Sequence, residues 1–381
     1  MGLADAGRAG YIRSMSRLFC LLIVCFCAAS PLVAQYVGFN QKEIKELKRH
    51  RGDAELSDGY DSVARTADRA LGEPPHPIDT IRTEGLLAGD PKKTATQLAL
   101  GDMNKMYALA LAYRVKGSRK YLKKAGEYLM AWAKTNHSRG DPIDDTNLDR
   151  AIEAYDMVKE KLEQTETETI RSWLQATAQA ELGGRYYHPD RPSFYNNWHS
   201  HRLKIVGEIA YVTGDTVLQG YVVRELKTQL AKNLNPDGSS VDFTLRDALH
   251  YHVYDLEPLL KLIIVLQRAT GSGYYTFSSS TGSSIKKSVD WLIPYLNGQK
   301  THAEFVNSTV DFDRRRAQNN EAAYKAGTLF APKNGIATLV LAGYFDASLL
   351  PLSRELGYKE DHALSWQSVV VGLMAGRGLL R

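Results

Sequence analysis

The sequence predicts an all-α fold, a series of helical hairpins. Two arrangements stay open: an (α/α) toroid or incomplete barrel, and an irregular all-α domain without closure. Three observations predict the class. Apolar residues recur at i, i+3, i+4 and i+7 through most of the chain, the period of a half-buried helix. Glycines punctuate consecutive periodic stretches, as at Gly117 and Gly214. No stretch alternates convincingly with the period of a strand; residues 274–279 fit a loop or a short strand.

The N-terminus is set apart from the fold. Residues 15–34 read MSRLFCLLIVCFCAASPLVA: an Arg, an apolar run, then small residues. That is the layout of a secretory signal peptide, with cleavage near Ala34 and residues 1–14 as an upstream extension. The apolar run is short for a membrane span. All three cysteines, Cys20, Cys25 and Cys27, lie inside it. A mature chain of about 347 residues would hold no thiol, hence no disulfide, no thiolate metal site and no Cys nucleophile. The expectation is a periplasmic or secreted protein, with residues 35–381 as one domain. The formal charge of +5 drops to about +3 once the leader is removed. No concentrated Lys/Arg stripe marks a nucleic-acid binder. A mildly basic surface suits an acidic polymer, and neither nucleic acid nor membrane is expected as a partner.

The elements follow in order. Tyr121, Leu122, Ala125, Tyr128, Leu129 and Trp132 share one helical face. Residues 140–158, GDPIDDTNLDRAIEAYDMV, open a helix capped by their acidic run, or bring Asn147 and Arg150 to a cleft. Ile170, Trp173, Leu174, Thr177 and Ala178 mark a helix starting at Thr165, with Glu168 three residues on, and stopping at Gly183 and Gly184. Leu218, Val222, Leu226 and Leu230 mark another. Hairpins centre on Gly117 and Gly214, with looser copies at 264–277 and 339–352.

Two segments are too polar for a helical core. Residues 195–203, YNNWHSHRL, follow a loop-like PDRPS and run into an apolar helix. Asn196, Asn197, Trp198, His199, His201 and Arg202 thus stand at a helix N-terminus, where free N–H groups favour an anion. Residues 242–260, DFTLRDALHYHVYDLEPLL, read as one helix with Leu245, Leu249, Leu256 and Leu260 as its stripe. Arg246, His250 and Tyr254 fall within roughly 80° of one another on it. Asp247, Tyr251 and Tyr254 form an overlapping face. Each such polar group needs a partner if buried. The His-x-His pairs, His199/His201 and His250/His252, cannot chelate readily from a helix, where residues two apart diverge. No metal and no cofactor is expected. Arg314, Arg315 and Arg316 read either as a solvated face or as a clamp for a substrate carboxylate.

Asn, His, Arg and Tyr without a placed pair of acids disfavour glycoside hydrolysis. They suit β-elimination on a uronic-acid polymer. There the C5 proton lies α to a carboxylate that cations can hold, while Tyr or His moves protons. Tyr titrates near 10, so a Tyr base needs a cation nearby, and Arg246 is the candidate supplier.

NNWHSH, then DGSS some forty residues on, then RDALHYHVYDLEPL resemble the alginate lyase superfamily of α/α-barrel polysaccharide lyases. The resemblance covers about residues 195–262. It implies an (α/α) toroid and β-elimination on alginate, polymannuronate or glucuronan. It matches Asn197 to a carboxylate neutraliser and, with Trp198 as a one-residue insertion, His199 to a neutraliser or base. It matches Tyr254 to the catalytic base and acid. Two departures stand: Asp247 occupies the family's Arg position with Arg246 one earlier, and the His role lies between His199 and His201. The catalytic expectation is Asn197, His199, Arg246 and Tyr254. Asn196, Trp198, His201, Arg202, His250, Tyr251, Asn147 and Arg314 are expected to bind substrate. The competing readings are an α/α-barrel hydrolase using Asp242 or Asp247, and a non-catalytic glycan-binding helical repeat.

Overall fold

The computed structural model describes residues 35–191, 194–357 and 371. The signal peptide and its cleavage point lie outside the described residues. From residue 35 onward the described chain is helical, with one two-stranded ribbon.

The first hairpins run through α1 (Gln41–His50), α2 (Ala54–Ala70), α3 (Pro91–Ala99), α4 (Gly101–Lys116) and α5 (Arg119–Thr135). Next come the short α6 (Pro142–Asp145), then α7 (Asp149–Val158) and α8 (Gln164–Gly183). The centre is α9 (Asn197–Thr213), α10 (Thr216–Asn233), α11 (Val241–Arg246) and α12 (Leu249–Thr270). After α13 (Ile285–Leu296) come β1 (Ala303–Glu304), α14 (Asp311–Gln318), β2 (Thr328–Leu329), α15 (Ile336–Ala342) and α16 (Leu350–Glu355). The strands pair antiparallel, Ala303 opposite Leu329. Residues 274–279 form no strand.

Burial sorts the helices into two layers. In α9 every residue except Trp198 and Thr213 is buried, and α4, α7 and α12 are nearly as enclosed. By contrast α5, α8 and α10 bury one stripe each. The enclosed helices pack on one another, α4 on α7, α7 on α9 and α9 on α12. Each of the others covers a joint: α5 on α4, α8 on α9, α10 on α9. An inner row of apolar helices clad by amphipathic ones is the (α/α) toroid the sequence predicts.

The turns at Gly117 and Gly214 adopt the left-handed conformation expected, with φ of 73° and 74°. Gly343, in the looser copy, stays right-handed with φ −57°. Its role is close approach: a Cβ there would lie 2.4 Å from Leu350 Cδ2. The N-cap of α8 is Glu163, boxed with Glu166, two residues before the expected Thr165. A Glu pair closes the same reciprocal hydrogen bonds that Thr and Glu would.

The second polar segment is not one helix. It breaks at Asp247, which is left-handed (φ 49°) and caps α11 by donating its N–H to Phe243 O. Asp tolerates that conformation better than most residues. Its carboxylate accepts from Asn307 N and Nδ2 at 2.9 and 3.0 Å, which holds the turn. The new helix, α12, opens on Leu249 and His250, whose amides donate to the Glu304 carboxylate at 2.7 and 3.0 Å. A carboxylate from β1 thus caps a helix whose own N-cap residue, Ala248, has no side chain to do so. Glu304→Ala leaves two amides unpaired, one of them buried. It should lower stability by about 2–3 kcal/mol, read as a shifted urea midpoint at unchanged slope.

Candidate active site

The break at Asp247 aims two helix ends at one cleft of about 240 Å³. The start of α9 supplies Asn197 and Trp198. The end of α11 supplies Arg246, and the first turns of α12 supply His250, Tyr251 and Tyr254. Ile143 of α6 and three further sources distant in sequence complete it. Glu84 comes from the loop between α2 and α3, Phe312 and Arg316 from α14, and Tyr324 from the turn before β2.

Asn197 is held from behind. Its backbone N donates to Asp242 Oδ2 at 2.7 Å, and its Nδ2 donates to Asp242 Oδ1. Burial pushes the Asp242 carboxyl up to about 6 against these hydrogen bonds. One N–H of the Asn197 amide remains for the cleft. Asp242 itself is 1% exposed and does not line the cleft.

Two guanidinium groups converge on Tyr251. That of Arg246 lies over the ring, 3.7 Å from its centroid, and Nη1 donates to buried Asp313 at 2.6 Å. Arg316 Nη1 donates to the Tyr251 hydroxyl at 2.7 Å, and its guanidinium stacks on Phe312 and Tyr324 at 4.4 Å each. Among the described residues Arg316 forms no ion pair. Its Nε is buried without a hydrogen-bond partner there. This is a cation held by rings rather than by carboxylates, with donors to spare.

Burial drives the proton-handling groups apart. The His250 imidazole falls to about 4, by desolvation first and then by Arg316 and Arg246. It is neutral at ordinary pH, with a lone pair. The Tyr254 hydroxyl is pushed up by burial, then by Glu84 and Tyr251. It stays protonated. Arg246, expected to lower the Tyr254 hydroxyl, acts on Tyr251. Glu84 is raised by burial, with Arg316 and Arg246 pulling the other way.

The other expected residues lie elsewhere. His199 is fully buried, its ring 4.3 Å from that of Phe194 and 5.4 Å from that of Tyr195. At about 100° per residue, two steps along α9 carry it to the side opposite Asn197. His201 accepts from or donates to Thr146 Oγ1 at 2.9 Å and packs on Tyr254 at 4.4 Å, behind the cleft. Asn196 is the N-cap of α9. Arg202 pairs with buried Glu181 at 3.0 Å. Asn147 donates to Ile143 O and Asp144 O, so the acidic run around it is a capped helix start. Arg150 lies over the Tyr107 ring at 4.3 Å. Arg314 is on the exposed side of α14, against Asp311, while Arg316 faces the cleft. Glu84, Phe312, Arg316 and Tyr324 carried no local signal; only the triple arginine hinted at α14.

Comparisons with known proteins agree with the fold. A family model described as Alginate lyase matches residues 45–302, more than half the chain. An alginate lyase from Bacteroides ovatus superposes with a TM-score of 0.66 at 16% identity, covering 89% of this chain and 98% of its own. Alginate lyase A1-III from Sphingomonas species A1 superposes at 0.55 and 18% identity, covering 70% and 80%. A Tyr-to-Phe variant of A1-III, complexed with a tetrasaccharide, superposes at 0.54 and 18%, covering 70% and 79%. At these identities the solved structures speak for the fold. No curated protein sequence matches. On the family match and the fold together, the chain belongs to the alginate lyase family and is a polysaccharide lyase.

Proposed function

We propose that this lyase cleaves a uronic-acid polymer by β-elimination in the Arg246–Tyr254 cleft. One observation carries the reading. Arg316, a cleft cation with no ion-pair partner among the described residues, stands beside a neutral His and a protonated Tyr. An acidic sugar supplies the missing anion.

The C6 carboxylate binds Arg316 and Arg246, with the spare Asn197 amide N–H. Charge that develops as the C5 proton leaves spreads into that carboxylate and is stabilised there. His250 takes the proton. Tyr254 gives its own to O4 as the C4–O bond breaks, and a C4=C5 double bond forms. Two groups whose pKa values are pushed apart divide the base and acid roles. The second reading gives Tyr254 both roles, as the family resemblance implies; burial, which pushes its hydroxyl up, argues against the base half. His250 and Tyr254 are four apart on α12, with rings parallel and centroids 6.4 Å apart. They reach one face of a sugar. That favours mannuronate or glucuronate, whose C5 proton and C4 oxygen lie on the same side, over guluronate. Tetrasaccharide complexes of A1-III support an oligosaccharide in such a cleft.

The hydrolase reading needs two acids flanking the scissile bond. Glu84 is the carboxylate among the described residues lining the cleft, while Asp242 lies behind Asn197 and Asp247 holds a turn. Among the described residues no helix is long and apolar enough to cross a membrane. We read the leader as a signal for export to where such polymers are met.

Ultraviolet absorbance should rise on polymannuronate or glucuronan with chelator present, and stay flat on polyguluronate. New reducing ends without absorbance would mean hydrolysis. Tyr254→Phe should lower kcat by ~10²–10⁴-fold with an unchanged circular dichroism spectrum. Arg316→Ala should raise KM by about tenfold or more, the worth of one charge-assisted contact. The pH profile follows from His250. A base must be unprotonated, so kcat/KM should fall only as pH drops through about 4, and His250→Gln should remove that limb. A limb near 6.5, the value of an unperturbed His, would contradict the assignment.

A further inference from the structure

A second cavity, of about 400 Å³, adjoins the cleft. The two share one residue, Trp198, and Asn196 and Asn197 stand one in each wall. Trp198 is the half-exposed residue at the start of an otherwise buried helix. Its ring meets that of Tyr186 at 5.8 Å and 55°. The two form an aromatic wall of the kind on which sugar rings lie.

The rest of the lining is basic. Arg185, Arg191 and Arg202 border this cavity, and among the described residues no carboxylate does. Arg202 is spoken for by Glu181. Arg185 and Arg191 are exposed, and among the described residues neither forms an ion pair. Arg185 lies over the Tyr186 ring at 4.7 Å and donates to its hydroxyl, as does Arg139 at 2.7 Å. Two arginines therefore brace Tyr186, and the Arg185 guanidinium keeps further donors for an anion.

We propose that this cavity is a distal subsite for the same polymer. Trp198 is the partition on which a sugar ring stacks as the chain passes from the cleft. Arg185 and Arg191 hold the carboxylate of a further uronate residue. The inference rests on the proposed reaction in naming its ligand, and it adds a binding site that the reaction does not need. It makes the enzyme sensitive to chain length.

The test uses the full chain and saturated oligouronates of defined length, two to six residues, with wild type and the double variant Arg185→Ala, Arg191→Ala. Wild-type kcat/KM should rise with length as the subsite fills. The variant should match wild type on the shortest cleaved oligomer and fall about tenfold behind on the longest. An equal loss at every length, or no loss at any, overturns the proposal. If no oligouronate is cleaved by wild type, the proposed reaction fails on its own. Calorimetric titration with the hexamer then judges the subsite: weaker binding by the variant supports it, and unchanged binding or none to wild type overturns it.

Discussion

The site depends on one carboxylate placed at one helix start. Glu304 receives the amides of Leu249 and His250 and so fixes where α12 begins and where it points. With Asp247 left-handed before it, the chain turns between α11 and α12 instead of continuing. In a continuous helix Arg246 and His250 would lie side by side, one turn apart. With the break, Arg246 ends its own short helix, slides over Tyr251 and anchors to Asp313. His250, Tyr251 and Tyr254 then line the cleft from the first turns of α12.

Burial does the electrostatic work. Burial keeps His250 neutral in a cleft that nonetheless holds two guanidinium groups. Cations survive there because aromatic faces and a buried acid support them: Asp313 for Arg246, and Phe312, Tyr324 and the Tyr251 hydroxyl for Arg316. The inner helix α9 follows the same logic. Its polar residues are buried, so each must find a partner. Ser200 meets Asp255 at 2.6 Å, Arg202 meets Glu181, and Lys204 meets Asp149 and Thr146. Asp149 is held well below the usual carboxylate range by Lys204 and Lys261, against the opposing push of its burial. His199 is an exception, a neutral ring among aromatic rings with neither nitrogen hydrogen-bonded among the described residues, although Glu225 Oε2 lies 3.9 Å from its Nε2.

His199 is also where the structure departs from the sequence pattern. The family resemblance makes Trp198 an insertion that moves the His role one place on. In the helix that begins at Asn197, the next residue faces the cleft and the one after it faces away. Trp198 therefore stands where the motif's His was expected, and the polar groups that line the cleft beside it include His250 and Arg316. Residues two apart on a helix diverge, which separates Asn197 from His199 as it separates the members of each His pair.

What the sequence determined alone were the features with local causes. The apolar period specifies helices, Gly117 and Gly214 specify turns that only a left-handed residue closes, and Asn196 specifies the start of α9. The composition of two polar segments marked Asn197, Trp198, Arg246, His250, Tyr251 and Tyr254 as residues of one site. Tertiary structure decided what local causes cannot carry. It set the break at Asp247, because the cap that makes it, Glu304, lies more than fifty residues away. It brought Glu84, Phe312 and Tyr324 to the cleft, because nothing near them in the chain records what they will face, and it chose Arg316 from a triple arginine whose sequence fits a solvated face as well as a clamp. And it chose among polar residues that look alike in sequence, because whether an Arg is a strut or a free cation depends on the partner that packing puts beside it.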